Sequence, residues 1–542
     1  MLSQITAELP RISWSVLAIL GFLANPRLIS AQCSQRDTVQ RAASALSIGG
    51  RADSARLGSL LGKCWGDASL ISETRSSSEQ GALTVRVLDP VITDSWNSRI
   101  PEGGNDGALW AGRGMNTSAT AGAALSYMNL GVVVAPQVIR SENLPFTILP
   151  SGTTSRSAFA SPWHSGGNSA DLPLRFGDAS YARIEPGETT IEFLAKPVAV
   201  GASSSSQWWG PGIRNALVLS DNAAGIPRVY VRTSNPFRTR IGELEGVWFL
   251  GGLNESPFFD SDGRDDIRSI SAGTVTLRLA ADTGFTIGIA REVIADVPRL
   301  GSIPVHAADL VFDWGRSPTS GPTTRKSDQV TSLFGRWVFP VSGVGVYVEW
   351  AKRQLPRSTR ELLVDPQKSQ GYTLGIEWAN EVSSVTTIRF LSELTTLEQT
   401  PEDRSVDVPE FYVSHTVPQG FTQQGQSIGA AIGPGSSSQF LSGIVLHRNW
   451  QAGANFGRIR SEETAYYRTV AGSISNRAHD ISLYGELTGR YDSPWLSVDG
   501  AFKRTLRMNY LFQTVNAYVR GNEFDMHNTT LTVTLTPHVR SR

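Results

Sequence analysis

The side chains in this chain that could do chemistry are scattered histidines, clustered acids and two neighbouring indoles. Their spacing narrows what that chemistry is. The seven histidines are His164, His306, His415, His447, His479, His527 and His538, and none pairs with another at metal-ligand spacing. The nucleophile-elbow, zincin and phosphate-loop patterns do not occur. The expectation is a protein without a catalytic set, a metal or a cofactor. The run Asp-Ser-Asp-Gly-Arg-Asp-Asp at 260–266 offers oxygen ligands and acid pairs, Asp260 with Asp262 and Asp265 with Asp266. It lacks the terminal glutamate of a calcium loop, so a solvated loop is the plainer reading. His415 has a base's chemistry but no identifiable nucleophile or orienting acid beside it, which favours a polar histidine at a strand end.

Two segments combine polar and aromatic groups in a way suited to binding. Segment 105–116, opening Asn105-Asp106-Gly107 with Trp110 and Arg113 behind it, is either a polar cluster that binds a sugar or ties a loop into the lumen, or a tight turn before a glycine-flanked strand start. Trp208-Trp209-Gly210-Pro211-Gly212, followed by Arg214 and Asn215, sets two indoles in a Ser/Gly/Pro-rich stretch. The indoles have two readings, packing at a membrane interface or within a loop, and stacking on the C–H face of a sugar. The Gly-Pro-Gly turn is then followed by "NALVLS" (215–220), read as a strand. The candidate ligand-binding set is Trp208, Trp209, Arg214, Asn215, Asn105, Asp106, Arg113 and His415.

The elements that would carry these residues are strands. From residue 82 onward the hydrophobic period is two. In 343–353, Val344, Val346, Val348 and Trp350 share one face. In 371–381, Tyr372, Leu374, Ile376 and Trp378 do the same, and in 529–539 Leu531, Val533 and Leu535 alternate with threonines. Similar runs lie at 83–88, 274–281, 285–291, 481–488 and 514–520. A soluble sandwich shares this alternation. Two features favour a membrane barrel: small and charged residues mixed on the polar face (Gly345, Glu349, Gly375, Glu377), and Trp or Tyr near the ends of the apolar face. Roughly 460 residues at ~10 per strand and ~15 per connection make about 18 strands. Polar stretches at 150–180, 200–213, 252–270, 316–330, 398–409 and 416–440 read as surface loops.

Composition agrees. The 542 residues carry 49 Lys+Arg and 49 Asp+Glu, a net charge of zero, which argues against a nucleic-acid surface. Residues 1–32 read as a secretion signal, with Arg11 ahead of the apolar run 13–24 and a small-residue region up to Ala31-Gln32. Residues 33–81 read as a helical periplasmic segment, with helical spacing over 37–65 broken at Gly49-Gly50 and ending near Gly62. Cys33 and Cys64, the two cysteines, are expected to form a disulfide across it. A lipid on Cys33 is disfavoured by Gln32 before it. Residues 82–542 are the barrel.

Four segments, in order, resemble the Wzi-like capsule assembly family of outer-membrane proteins. The first is 98–122, through Asn105, Asp106, Gly107, Trp110, Gly112, Gly114 and Asn116. The second is Trp-Trp-Gly-Pro-Gly with "NALVLSDNAAGIP" behind it, the third "VWFLGGLNESPFF" (247–259), and the fourth 410–438, with Tyr412, His415 and the glycines after it. Gln424 stands where that family more usually has a basic residue. The resemblance implies a monomeric barrel of about 18 strands with a small helical plug, working in the surface attachment or assembly of capsular or extracellular polysaccharide. Its partners would be that polysaccharide and outer-membrane lipid. The alternative is a porin or substrate-specific channel, and an outer-membrane hydrolase ranks third.

Overall fold

The structure is a computed structural model that describes residues 55–63, 69–74, 83–164, 169–262, 266–312, 327–353, 355–356, 358–400, 410–470, 478–515 and 523–539. The signal segment, both cysteines and most of the helical segment lie outside the described residues, as does most of the expected strand at 514–520.

The chain forms one closed antiparallel barrel of 18 strands. In chain order they are β1 Thr84–Asn97, β2 Gly114–Tyr127, β3 Leu130–Val134 continuing as Gln137–Ser141, β4 Tyr181–Glu185 continuing as Thr190–Ala195, β5 Val198–Ser203 and β6 Arg228–Thr233 continuing as Phe237–Arg238. There follow β7 Gly242–Asn254, β8 Ile267–Leu279, β9 Phe285–Val297, β10 Ser327–Phe339, β11 Val344–Lys352 and β12 Gln370–Ser383. The last six are β13 Thr386–Thr396, β14 Ser437–His447, β15 Trp450–Ser461, β16 Asp480–Asp492, β17 Leu496–Met508 and β18 Met526–Pro537. Pairing of β1 with β18, from Ile92↔Leu535 to Asn97↔Thr530, closes the ring and leaves no edge.

The two ends differ. At one end the connections are short: 128–129, 196–197, 239–241, 280–284, 340–343, 384–385, 448–449 and 493–495. Met128 and Arg448 open two of them at φ 52 and φ 50, the positive values that two-residue hairpin turns require. At the other end the connections are long: L1 98–113, L2 142–180, L3 204–227, L4 255–266, L5 298–326, L6 353–369, L7 397–436, L8 462–479 and L9 509–525. In outer-membrane barrels short turns are periplasmic and long loops extracellular. Among the described residues no helix is long and apolar enough to cross a membrane.

Alternation decides which side chain faces lipid. On β11, Val346 and Val348 are exposed on the outer wall while Tyr347, Glu349 and Ala351 are buried inside. On β12, Leu374 and Ile376 face out, and Thr373 and Glu377 face in. Aromatic side chains gather toward both rims. Trp350 pairs with Tyr372 across strands near the loop end, while toward the turn end Trp378 stacks on Phe390 and Trp337 lies tilted against Phe339.

Part of L5 folds outward instead of inward. Its turns at Leu300–His306 and Asp309–Phe312 lie on the outer wall of β7–β9. They cover Ser269, Ser271, Arg291 and Gln329, which point outward yet are buried. Ser271 donates to Ala307 O at 3.3 Å and Arg291 donates to Leu310 O. The far side of this cover exposes Leu300, Val305, Val311 and Phe312.

The lumen is filled. A helix at 55–60 sits at the turn end, with Leu60 packed on Val338 and Ala379. The helix expected to end near Gly62 does so, and Gly62 takes φ +68. Residues Ile71–Glu73 then pair with Gln207–Trp209 in a two-stranded sheet inside the barrel. Two stretches expected at the surface, 200–213 and 416–440, enter the interior through Trp209 and through Val417, Phe421 and Ile428, and their neighbouring residues join them there. Leu217, Val218 and Leu219 of L3 and Phe411, Tyr412, Val417, Phe421 and Ile428 of L7 join wall residues such as Phe249 and Ile294 in one apolar cluster. The expected strand at 215–220 is instead an irregular segment threaded through this core. An inward loop must still satisfy its backbone, and here side chains on the wall take the place of a ladder.

Candidate functional site

Inward glutamates hold L3 in place. Glu393, on β13, accepts from the backbone N–H of Ile213 (2.6 Å), Arg214 (3.1 Å) and Asn215 (2.9 Å). The Tyr347 hydroxyl also donates to it at 2.8 Å. Tyr347 reaches that far because its ring lies flat over Gly375, where an added Cβ would fall 1.9 Å from the ring. Two strands further round, on β11, Glu349 accepts from Leu217 N at 3.2 Å. Below it Glu377 takes Arg56 (2.9 Å), Arg336 (3.1 Å) and Arg389 (3.2 Å), and Arg56 also donates to Pro211 O at 2.7 Å. One carboxylate thus ties the helix at 55–60, the wall and the tip of L3 together. From the other side Tyr412 of L7 donates to Leu217 O and accepts from Ala430 N, both at 2.8 Å.

The tryptophan pair belongs to this lock. Trp209 is fully buried, edge-on to Phe249 at 5.6 Å. Trp208 is 9% exposed and donates its indole N–H to Gly212 O at 2.9 Å. Neither ring lies at a membrane interface or offers a free face to a sugar, which corrects both of those placements in favour of loop packing. Gly210 takes φ +100 against the Glu349 carboxylate, where a side chain has no room.

L1 divides the space that remains. Asn105, at φ 60, donates from Nδ2 to Arg214 O at 3.0 Å, and Gly107 N donates to Asp221 O at 2.8 Å. Asn105, Asp106, Arg214 and Asn215 are thereby brought together. Arg214 also lies over the Phe440 ring at 5.0 Å, and buried Asn215 is fixed by Glu393 and Ser438. Arg113 and His415 are not part of this group. Arg113 binds Ser98 O and Pro145 O at the base of L1, and His415 is exposed on L7.

On the loop side of L1 lies a cavity of about 350 Å³, and on the deeper side one of about 270 Å³, with Asp106 and Leu109 bordering both. The outer cavity is lined by Glu102, Trp110, Tyr484, Lys503, Thr505 and Arg507, among others. It lies near the lower end of the size range of small-ligand sites. Lys503 sits 4.3 Å from the Tyr484 ring centre and 2.6 Å from Glu102 Oε1, which also accepts from Thr505 at 2.6 Å. Burial alone would raise the Glu102 carboxyl; Lys503 and hydrogen bonds from Asn528, Lys503 and Thr505 outweigh it and hold the group below its usual value. Lys503 covers one face of the Tyr484 ring and Gly457 lies against the other, so what the cavity offers a sugar is hydrogen bonding from its paired charges and hydroxyls. Sequence reasoning did not single out Tyr484, Lys503 or Glu102, although the alternation at 481–488 already set one face of β16 inward.

The protein is an outer-membrane β-barrel of 18 strands with a lumen filled from both ends. No protein-family model and no curated protein matches the sequence. Among solved structures it is similar to Wzi of Escherichia coli, described as an outer-membrane protein involved in group 1 capsule assembly and a carbohydrate-binding β-barrel. That match has a TM-score of 0.53 at 11% identity, over 83% of this chain and 85% of that one. It is also similar to OccK2 of Pseudomonas aeruginosa in complex with glucuronate, with a TM-score of 0.41 at 9% identity over 85% and 100% of the two chains. A BenF-like porin of Pseudomonas fluorescens gives 0.39 at 8% identity over 84% and 99%. At these identities the likeness concerns the fold.

Proposed function

We propose that this protein is a non-enzymatic glycan-binding protein of the outer membrane, acting as a monomer to hold an extracellular or capsular polysaccharide at its loop face. The observation that carries this reading is the filled lumen: L3 and L7 are pinned by Glu393, Glu349 and Tyr412 across the path a solute would take. The outer cavity beside Tyr484 and Lys503 supplies the contact for a sugar. The test pairs capture of the producing cell's own polysaccharide by purified barrel with conductance in planar bilayers. Capture that falls about tenfold in Tyr484→Ala, from a barrel that stays electrically silent, is the expected outcome. Steady conductance without capture would overturn it.

A substrate-selective channel is the second reading. It is favoured by the two cavities in series, separated by L1 at Asp106 and Leu109. Withdrawal of that one loop would join them, and solute-dependent current is its signature.

A further inference from the structure

Three extracellular loops meet at a cluster that the glycan reading does not use. His164 of L2, Glu410 of L7 and Glu462 of L8 each bring one ligand atom within 4.8 Å of the others. His164 and Glu410 are each 1% exposed. We propose that His164 and Glu410 form the seat of a divalent transition-metal ion of the zinc class, which clamps these loops to one another.

The argument begins with two orphans. His164 Nδ1 and Glu410 Oε1 are buried and neither makes a hydrogen bond. They face each other at 3.4 Å. Two ligands on a tetrahedral ion with bonds of about 2.0 Å stand about 3.3 Å apart, so this separation is the edge of such a site. The other ring nitrogen, Nε2, lies 2.8 Å from Glu462 Oε2. A carboxylate on the far nitrogen fixes the tautomer and raises the basicity of a metal-bound imidazole, which makes Glu462 a positioning residue. The other oxygen of Glu410 is likewise held, by Arg468 at 3.0 Å. Glu462 sits in the left-handed region at φ 53, ψ 36, a conformation an ordinary side chain adopts at a cost. An imidazole in the donor set favours zinc over the all-oxygen preference of calcium and magnesium. Two carboxylates against one guanidinium leave the spot negative.

The experiment uses the full-length barrel in detergent, stripped with chelator and titrated with zinc chloride. One zinc per barrel is expected, with slower proteolysis of the long loops, and with calcium and magnesium failing to compete at equal concentration. His164→Gln and Glu410→Gln should each lower the affinity at least 100-fold, and Glu462→Gln about 10–100-fold. Zinc affinity unchanged by His164→Gln and Glu410→Gln in heat-modifiable, folded barrels would overturn the proposal, as would a folded wild-type barrel that takes up no zinc. If the variants do not fold, X-ray absorption on the zinc-loaded wild type decides. A single imidazole with oxygen ligands supports the site, whereas no imidazole or two or more overturns it.

Discussion

Replacing Glu393 with glutamine should unlock the plug without changing the barrel. The substitution keeps the volume and converts one carboxylate oxygen into an amide N–H₂ group. Whichever oxygen is lost, donors among Ile213 N, Arg214 N, Asn215 N and the Tyr347 hydroxyl then face another donor. Two charge-assisted hydrogen bonds at ~1.5–3 kcal/mol each amount to about 4 kcal/mol. That shifts the ratio of seated to withdrawn L3 by about 10³. Because the strands themselves are untouched, the effect should fall on the lumen. Single-channel recording should show brief openings in Glu393→Gln that the parent lacks, with heat-modifiable mobility retained. A variant as silent as the parent, with the same melting temperature, would refute the claim that this carboxylate seats the loop.

Further outcomes follow from other contacts. Glu377→Gln leaves Arg56, Arg336 and Arg389 short of their shared carboxylate, so the helix at 55–60 should become protease-sensitive at a cost of about 3–5 kcal/mol, read by limited digestion and thermal melting. Trp209→Ala opens a cavity beside Phe249 and should cost about 3–5 kcal/mol, lowering the melting temperature whether or not a glycan is present. Burial pushes Asp171 up to about 6 and Glu255 up to about 8, and together they join L2, L4 and L7 through Ser256 and Gln419. A carboxyl raised in the folded state stabilises most below its unfolded pKa, and that contribution is lost as pH rises, here from about 4 through about 8. Digestion of these loops should therefore quicken from pH 5 to pH 9, and Glu255→Gln should flatten the profile.

The barrel was legible because alternation is a local signal. Val346, Val348, Leu374 and Ile376 declare the lipid face, which leaves Glu349 and Glu377 inside. The mixture of glycine and glutamate on that inner face carried more than charge: Gly375 makes room for Tyr347, and Tyr347 helps to hold Glu393. The inward course of L3 and L7 was not legible. Ser/Gly/Pro-rich composition marks a backbone that wants polar partners, and it does not say whether water or a wall glutamate supplies them. Trp208 and Trp209 were the available clue, since a loop meant for solvent has little use for two indoles. Asn105 and Asp106 were picked out by their turn chemistry and do border the cavities, whereas Tyr484 and Lys503 looked like ordinary strand residues. The cluster at His164 and Glu462 joins residues 298 apart, a distance at which no spacing rule operates.

The outward fold of L5 bears on how the barrel sits in its membrane. Over β7–β9 the lipid chains meet Leu300, Val305, Val311 and Phe312 before they meet the strands, because Ser269, Ser271, Arg291 and Gln329 beneath would be poor company for hydrocarbon. The greasy collar is therefore lopsided, set farther from the barrel axis on this flank and, on the strands themselves, shorter. A bilayer answers unequal heights around a wall by thinning or by tilting the protein, at a fraction of a kcal/mol for each ångström. The barrel axis should lean accordingly, which gives the loop face a fixed bearing relative to the cell surface.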